Sequence, residues 1–365
     1  MTDDRGKALV PQGPTGLVPV SRLAQRTLAE RVEREERALV THRTFVVGPG
    51  DYATISEAVA AARDGDTVIV RPGRYEESVV VEGKTITIRG DGDRDAIVVG
   101  WDQGPAFELV ETNSTLTGLT VVGGRPAPQF NGDQFLSVLQ AALEAFGGAP
   151  HLDGLRVTRG GGIFFMGAAA GAIEHSQIDG NAGGIAVWEG ASPRIEENEV
   201  WGNGGPGIEI GGAGANPLVR ANRVHHGHAA GIIVDSGASP RIEKNEIWAN
   251  AYSGIEIRHA GTNPLVRANR VHDGQEVGII VAGGASPRIE ANEIWGNAEA
   301  GINIAGVSAS PMIIGNTVRN GLDAGIVVSE GASPVIEGNT VRGNSRGAVV
   351  VGKDSAPAKR PTPSP

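Results

Sequence analysis

Apolar and polar residues alternate in very short runs along most of the chain, and the runs are separated by glycine, proline or asparagine. Alternation with a period of two is typical of β-strands. A Gly-Ile or Gly-Ala pair recurs at a regular interval, in step with a proline and an asparagine. A fixed interval of about 23 residues predicts one structural unit per repeat. The recurring positions are Gly162, Gly184, Gly207, Gly231, Gly254, Gly278, Gly301, Gly325 and Gly347; Pro193, Pro217, Pro240, Pro264, Pro287, Pro311 and Pro334; and Asn198, Asn222, Asn245, Asn269, Asn292, Asn316 and Asn339.

Each repeat contains three apolar alternations, Gly-Ile-x-Val, Pro-x-Ile-x and Asn-x-Val/Ile-x, which we name its first, second and third strands. Three short strands per unit of about 23 residues fit one triangular coil of a solenoid. Coils that stack in register place equivalent residues ~4.8 Å apart. The asparagines should then form a buried ladder, in which each amide bonds to its neighbours above and below.

Charged residues provide an independent test of this stacking, because like charges on adjacent strands destabilise a sheet and opposite charges stabilise it. The outward positions of the second and third strands alternate in sign from coil to coil, as in-register stacking requires. The two columns are Glu196, Arg220, Glu243, Arg267 and Glu290, and Glu199, Arg223, Glu246, Arg270 and Glu293. Glu174 is an exception, because it should stack on Glu196.

The flanking regions differ from the repeats. Residues 1–44 form a charged arm, in which Ser21 could cap a helix, and residues 353–365 read as a disordered, proline-rich tail. Tyr52–Ala62 predicts an amphipathic helix that caps the first coil, and Asn131–Phe146 predicts a helical excursion within an insertion at 125–150. The β-helix itself is expected at 45–352. Its early strands are predicted at Ser78–Val81, Thr85–Arg89, Ala96–Val99, Phe107–Val110 and Leu116–Val122.

The capping block with the Gly65–Glu76 segment, and the Gly-Ile-x-Val…Ser-Pro-x-Ile-Glu-x-Asn repeat, resemble the pectin-lyase-like superfamily. Among its repeats they are similar to those of NosD-like copper-enzyme accessory proteins and of certain F-box proteins. They are also similar to the domain shared by carbohydrate-binding proteins and sugar hydrolases. The resemblance covers roughly 45–352 and implies an all-β, single-stranded, right-handed parallel β-helix with three strands per coil. It is weak for function, because such folds have many activities.

The charge and composition of the chain argue against several classes of function. The net charge of -10 gives no basic surface for nucleic acid. The absence of cysteine excludes disulfides and thiolate metal sites, and His225, His226 and His228 lack the further ligands that a metal site needs, so we expect neither a metal nor a cofactor. No apolar run is long enough to span a membrane. The N-terminus has no apolar signal segment, which favours a cytoplasmic location.

Enzymes of this superfamily usually carry their active groove along the first strands, whose outward residues here include Glu209, Asp235, Glu256 and Arg258. Glu209 and Glu256 should lie roughly 9–10 Å apart, near the carboxylate spacing of an inverting glycosidase. The alternative is a structural ion pair between Asp235 and Arg258. The polygalacturonase, pectate-lyase and pectinesterase signatures and the Asp-Pro-His epimerase motif are all absent from the sequence.

Aromatic residues mark the outward column of the third strands, where Trp recurs at every second repeat. Rings at strand spacing can stabilise one another, but an exposed aromatic stripe can also bind a partner. Our hypothesis is that the N-terminal arm or a partner covers this face, and that changing all three Trp to Thr leaves the fold nearly intact. The candidate binding residues are Trp201, His225, Trp248, His272 and Trp295.

These observations favour a non-catalytic β-helical binding or scaffold protein that presents a rigid surface to a protein or glycan partner. The alternative is a carbohydrate-active enzyme, a glycoside hydrolase, lyase or epimerase, acting along the first strands. A homo-oligomer could form through the arm or the excursion helix.

Overall fold

The computed structural model describes residues 42–101, 104–123 and 141–357, and these residues form a right-handed parallel β-helix of about 13 turns. Three parallel sheets make its sides, because each strand pairs with the equivalent strand one coil before and one coil after it. The in-register pairing is direct: Ile195 lies opposite Val219, and Val219 opposite Ile242. The predicted fold class is therefore confirmed.

Each sheet collects one kind of strand from every repeat. The first-strand sheet contains Val79–Glu82, Phe107–Val110, Leu143–Phe146, Ile163–Met166, Ile185–Val187, Ile208–Gly211, Ile232–Asp235, Ile255–Ile257, Ile279–Val281, Ile302–Ala305, Ile326–Ser329 and Val349–Val351. The second-strand sheet contains Thr44–Val47, Thr67–Val70, Thr87–Gly90, Thr115–Thr117, His151–Asp153, Ala172–Glu174, Arg194–Glu196, Leu218–Arg220, Arg241–Glu243, Leu265–Arg267, Arg288–Glu290, Met312–Ile314 and Val335–Glu337. The third-strand sheet contains Gly73–Glu76, Ile97–Gly100, Thr120–Val122, Arg156–Thr158, Gln177–Asp179, Glu199–Trp201, Arg223–His225, Glu246–Trp248, Arg270–His272, Glu293–Trp295, Thr317–Arg319 and Thr340–Arg342.

The predicted asparagine ladder runs along the corner between the second and third strands. Asn245 shows the pattern: its Oδ1 accepts from both the backbone N–H and the Nδ2 of Asn222, at 2.9 and 3.0 Å. Its own Nδ2 donates to Asn269 Oδ1 and to the Val219 carbonyl, both at 3.0 Å. Buried amides are tolerated here because each finds partners on the neighbouring coils.

A helix, Ile55–Ala61, lies at the N-terminal end, and its Ile55, Ala58 and Val59 are buried in the core. Thr54 caps it by accepting a hydrogen bond from the Glu57 N–H, so the predicted capping helix is confirmed. A single 3₁₀ turn, Arg94–Ala96, precedes the third strand of an early coil.

The predicted excursion helix is wrong at its C-terminal end. Leu143–Phe146 is a strand, paired with Phe107–Val110 on one side and Ile163–Met166 on the other. Leu143 and Ala145 are fully buried, so the alternation of a strand decides this segment rather than the helical spacing that the sequence suggested. The rest of the predicted helix, 131–140, lies outside the described residues.

Two smaller differences concern the boundaries of elements. The predicted run Leu116–Val122 is two strands, because Gly118 adopts a left-handed conformation with a positive φ and turns the chain between them. At the other end, the predicted tail begins with bonded residues, since Ser355 Oγ accepts from the Gly331 N–H and the Ala356 N–H donates to Ala332. The predicted helix after Ser21 lies outside the described residues, as does the tail beyond 357.

Candidate functional site

The first-strand sheet carries the predicted carboxylates on its outer face. Glu209 lies opposite Ile233, which lies opposite Glu256, so the two glutamates are two coils apart in one column as the sequence predicts. That column continues through Ile280 to Asn303. Asp235 occupies the neighbouring outward column, where it lies opposite Gly211.

Arg258 connects two of the three carboxylates. Its Nε and Nη2 donate to Asp235 Oδ2 at 3.2 and 3.1 Å, and its Nη1 donates to Glu256 Oε1 at 3.2 Å. The side chain of Asp235 is only 6% exposed and that of Arg258 is 36% exposed, so the ion pair is buried on its carboxylate side. The cross-strand pair of Asp235 and Arg258, which the sequence offered as a structural alternative, is therefore present.

Glu209 differs from both of these carboxylates. Burial, assisted by the nearby charges of Asp235 and Glu256, raises its pKa to about 7, and only Arg258 opposes this shift. Burial disfavours an ionised carboxylate, and so do like charges close to it. A carboxyl group that holds its proton near neutral pH can donate that proton to a ligand or hydrogen-bond to it.

An indole and two unpartnered oxygens complete this surface. A Cβ atom at Gly211 would come within 2.3 Å of Trp188 Cζ3 and 2.8 Å of Asp235 Oδ1, so the ring and the carboxylate both lie against this glycine. Asp235 Oδ1 is buried without a hydrogen-bond partner, and so is Asn303 Oδ1 in the adjacent column. We name Trp188, Glu209, Asp235, Glu256 and Arg258 the carboxylate cluster.

The two predicted charge columns on the other two sheets alternate in sign from coil to coil, as expected. Glu196 lies opposite Arg220, and Glu199 lies opposite Arg223 with 2.9 Å between Oε1 and Nη1. The exceptional pair of Glu174 and Glu196 is in register too. Arg194 resolves it, since its Nη2 lies 2.6 Å from Glu174 Oε1 and its Nη1 lies 3.4 Å from Glu196 Oε2.

The aromatic column of the third-strand sheet is a continuous stack. His225 lies 4.0 Å from Trp248 and His272 lies 4.1 Å from Trp295, measured between ring centroids. The intervening separations, Trp201 to His225 and Trp248 to His272, are 6.4 and 6.0 Å. All four pairs are nearly parallel, so most ring faces are covered by the next ring, while Trp201 at the end of the stack is 39% exposed.

The histidines beside this stack make local contacts. His225 Nδ1 lies 2.9 Å from His226 Nδ1, and burial lowers the pKa of His225. Within the described ranges, no group of three or more His, Asp or Glu side chains is arranged to hold a metal ion. No helix in those ranges is both long and apolar enough to cross a membrane.

A family model described as a right-handed beta helix region matches residues 134–263 and 210–360, which together exceed half of the chain. The chain belongs to this family. A search of the curated proteins finds no match to this β-helix protein.

Solved structures with a similar fold come from proteins of differing activity. The A-module of the Azotobacter vinelandii mannuronan C-5 epimerase AlgE4 superposes with a TM-score of 0.64 and 16% identity, covering 83% of this chain and 93% of the module. The catalytic domain of a GH87 α-1,3-glucanase gives 0.67 and 13%, covering 86% and 68%. The Dettilon tailspike protein gives 0.61 and 16%, covering 84% and 68%. Identities this low show a shared β-helix fold alone.

Sequence reasoning missed Trp188 and Asn303, although it selected Glu209, Asp235, Glu256 and Arg258. Trp188 follows Ile185–Val187 as the next outward residue, and its position one repeat before Gly211 was the available signal. The structure brings the four predicted residues together on one sheet. The five predicted aromatic residues lie on the adjacent sheet, in a separate column.

Proposed function

We propose that the protein is a β-helical binding protein, or scaffold, that uses the outer face of the first-strand sheet to hold a protein partner. One observation carries this proposal: Glu and Arg alternate from coil to coil in the charged columns of the other two sheets, whereas on this sheet Arg258 is shared by Asp235 and Glu256 and does not bond to Glu209. The carboxylate cluster contains three carboxylates and one guanidinium, beside the apolar side chains of Ile233 and Ile280. An apolar surface with incompletely paired polar groups is typical of a recognition site.

The chemistry of this face favours a protein over a glycan. The three carboxylates share a single guanidinium. Basic side chains of a protein would supply further positive charge, whereas a neutral or acidic polysaccharide would not. Ile280, which is partly exposed, adds apolar contact area in the same column. A rigid sheet also binds with little loss of conformational entropy, because its side chains are already ordered.

A photo-crosslinking residue at Ile280 tests the proposal in cells that produce the full chain. The matched control position is Leu265, which faces outward on the second-strand sheet between Arg241 and Arg288. We expect a single protein adduct from position 280 and none from position 265. Glu209→Lys should abolish the adduct, and Glu243→Lys, on the second-strand sheet, should not. An adduct that persists in Glu209→Lys would refute the assignment of this face.

Catalysis on a polysaccharide is the second candidate, and the raised pKa of Glu209 favours it. With its proton held near pH 7, Glu209 could act as a general acid, and Glu256, two coils away, as a base. The similar folds of the mannuronan epimerase and the glucanase are consistent with this chemistry. We expect a panel of neutral and acidic polysaccharides to show no turnover. Turnover lost in both Glu209→Gln and Glu256→Gln would overturn the binding proposal.

A further inference from the structure

The carboxylate cluster has an acceptor that the protein itself does not use. Asp235 is 4% exposed, and both of its bonds from Arg258 end on Oδ2, so that Oδ1 is buried without a donor. A buried carboxylate oxygen without a hydrogen bond is destabilising, because it has lost its water and gained no partner. The position of Oδ1 therefore calls for a hydrogen-bond donor from another molecule.

The missing donor should also be a cation. Arg258 is the cationic group that bonds to Asp235 and Glu256, and it has no hydrogen bond to Glu209, which lies within the electrostatic field of both carboxylates. With all three carboxylates ionised, the cluster would have a net charge of −2. A neutral hydroxyl group would satisfy Asp235 Oδ1 but would leave this charge uncompensated.

The cluster also contains the indole ring of Trp188. Gly211 leaves room for the Trp188 indole beside Asp235 Oδ1, because any Cβ there would collide with both. The ring and Oδ1 together fill the space over Gly211, so a ligand reaches Oδ1 by displacing the edge of the ring, which it then contacts. Cations are attracted to the face of an indole, and a planar guanidinium also stacks on it.

We propose that Trp188, Glu209 and Asp235 form a binding site for an arginine side chain of the protein partner. The guanidinium donates to Asp235 Oδ1 and to the Glu209 carboxylate while it contacts the indole. Arginine fits better than lysine because its planar fork can donate to two carboxylates at once. This inference rests on the proposed function, since it assigns a specific contact within the partner-binding face.

The test uses small probes and the full chain. Nα-acetyl-arginine amide is titrated at pH 8 and low salt, and binding is followed by saturation-transfer NMR. The matched neutral probe is Nα-acetyl-citrulline amide, which has nearly the same shape without the charge. We expect citrulline and the lysine counterpart to bind at least fivefold more weakly than arginine. Equal binding of arginine and citrulline would overturn the proposal.

Protein variants localise the site. Asp235→Asn and Glu209→Gln should each weaken arginine binding at least fivefold, and so should Gly211→Ala, which displaces Trp188. Glu243→Gln on the second-strand sheet is the control and should bind as wild type. Thermal melts identify any variant that does not fold. If Asp235→Asn does not fold, arginine binding by Glu209→Gln and Gly211→Ala tests the site instead. Unchanged binding in the folded cluster variants would refute the site.

The two proposals fail separately. If the crosslinked partner depends on Glu209 but the arginine probe does not bind, the face is a binding face and the arginine site is wrong. If the probe binds in a Glu209-dependent way and position 280 gives no adduct, the site exists and the proposed scaffold function is wrong.

Discussion

The second- and third-strand sheets and the first-strand sheet belong to the same coils, yet their outer faces are stabilised differently. On the second- and third-strand sheets, Glu and Arg alternate from coil to coil, and rings stack on rings. On the first-strand sheet, Glu209 and Glu256 are separated by an isoleucine, and one arginine serves two carboxylates. The difference teaches that sheets built from the same coils can distribute their outward charges differently, with alternating columns on two sides and a shared guanidinium on the third.

The aromatic column makes the contrast clearer. Its rings cover one another, Arg319 lies 4.8 Å from the Trp295 ring centroid at one end, and only Trp201 at the other end exposes a large surface. Such a column contributes to stability whether or not a partner binds. Its role as a binding stripe stays a prediction, and Trp201 is the residue best placed for it.

The strongest test of the internally paired side is Asn245→Leu. The substitution removes the acceptor for two hydrogen bonds from Asn222 and the donor to Asn269, so buried amides on both neighbouring coils lose partners. We expect a loss of about 1–3 kcal/mol in the free energy of unfolding. Chemical denaturation measures it, and Asn263→Leu, at an exposed turn, is the matched control. A denaturation curve like that of wild type would show that the ladder does not stabilise this corner.

Much of this ladder could be predicted from the sequence, because a strict period fixes which residues stack. The same logic could have found a second ladder at the next turn, where Asn203, Asn250 and Asn297 recur at every second repeat. In that ladder Asn250 Oδ1 accepts from the Gly227 N–H at 3.0 Å. The regular repeat did not reveal it because, from Asn203 onward, asparagine occupies only alternate coils there.

The carboxylate cluster could be predicted only in part. The alternation of side chains along a strand predicted that Glu209, Asp235 and Glu256 point outward. The opposite charges of Asp235 and Arg258 predicted that these two side chains pair. Trp188 packs against Gly211 because glycine has no side chain to obstruct the ring. Oδ1 of Asp235 is unpartnered because both hydrogen bonds from Arg258 end on Oδ2. Neither has a periodic signal, and the misassigned strand Leu143–Phe146 failed for the same reason, since it lies outside the regular repeats.

A smaller effect is expected within the aromatic column. Trp248→Thr removes the stack with His225 at 4.0 Å and the contact with Arg223 at 5.2 Å. Together these losses should cost about 0.5–1.5 kcal/mol. Trp201→Thr removes only the 6.4 Å contact with His225 and should cost less. Thermal melts of the two variants compare them directly. If both are neutral, the stack does not stabilise this sheet, and a binding role becomes its remaining explanation.

The last test compares the two kinds of face with each other. A raised pKa means that folded Glu209 keeps its proton where the unfolded chain has lost it. Stability therefore falls as the pH rises from about 4.5 to about 7, and the loss persists above pH 7. Glu209→Gln carries no such charge, so its Tm relative to wild type should rise between pH 4.5 and pH 8.

Glu243→Gln is the matched control on the second-strand sheet, where Arg241 Nη2 lies 2.8 Å from Glu243 Oε1. It should lower Tm at pH 8, by an amount corresponding to at most about 1 kcal/mol. Changes of the same sign in both variants at pH 8 would mean that the first-strand sheet compensates its charges as the other two do.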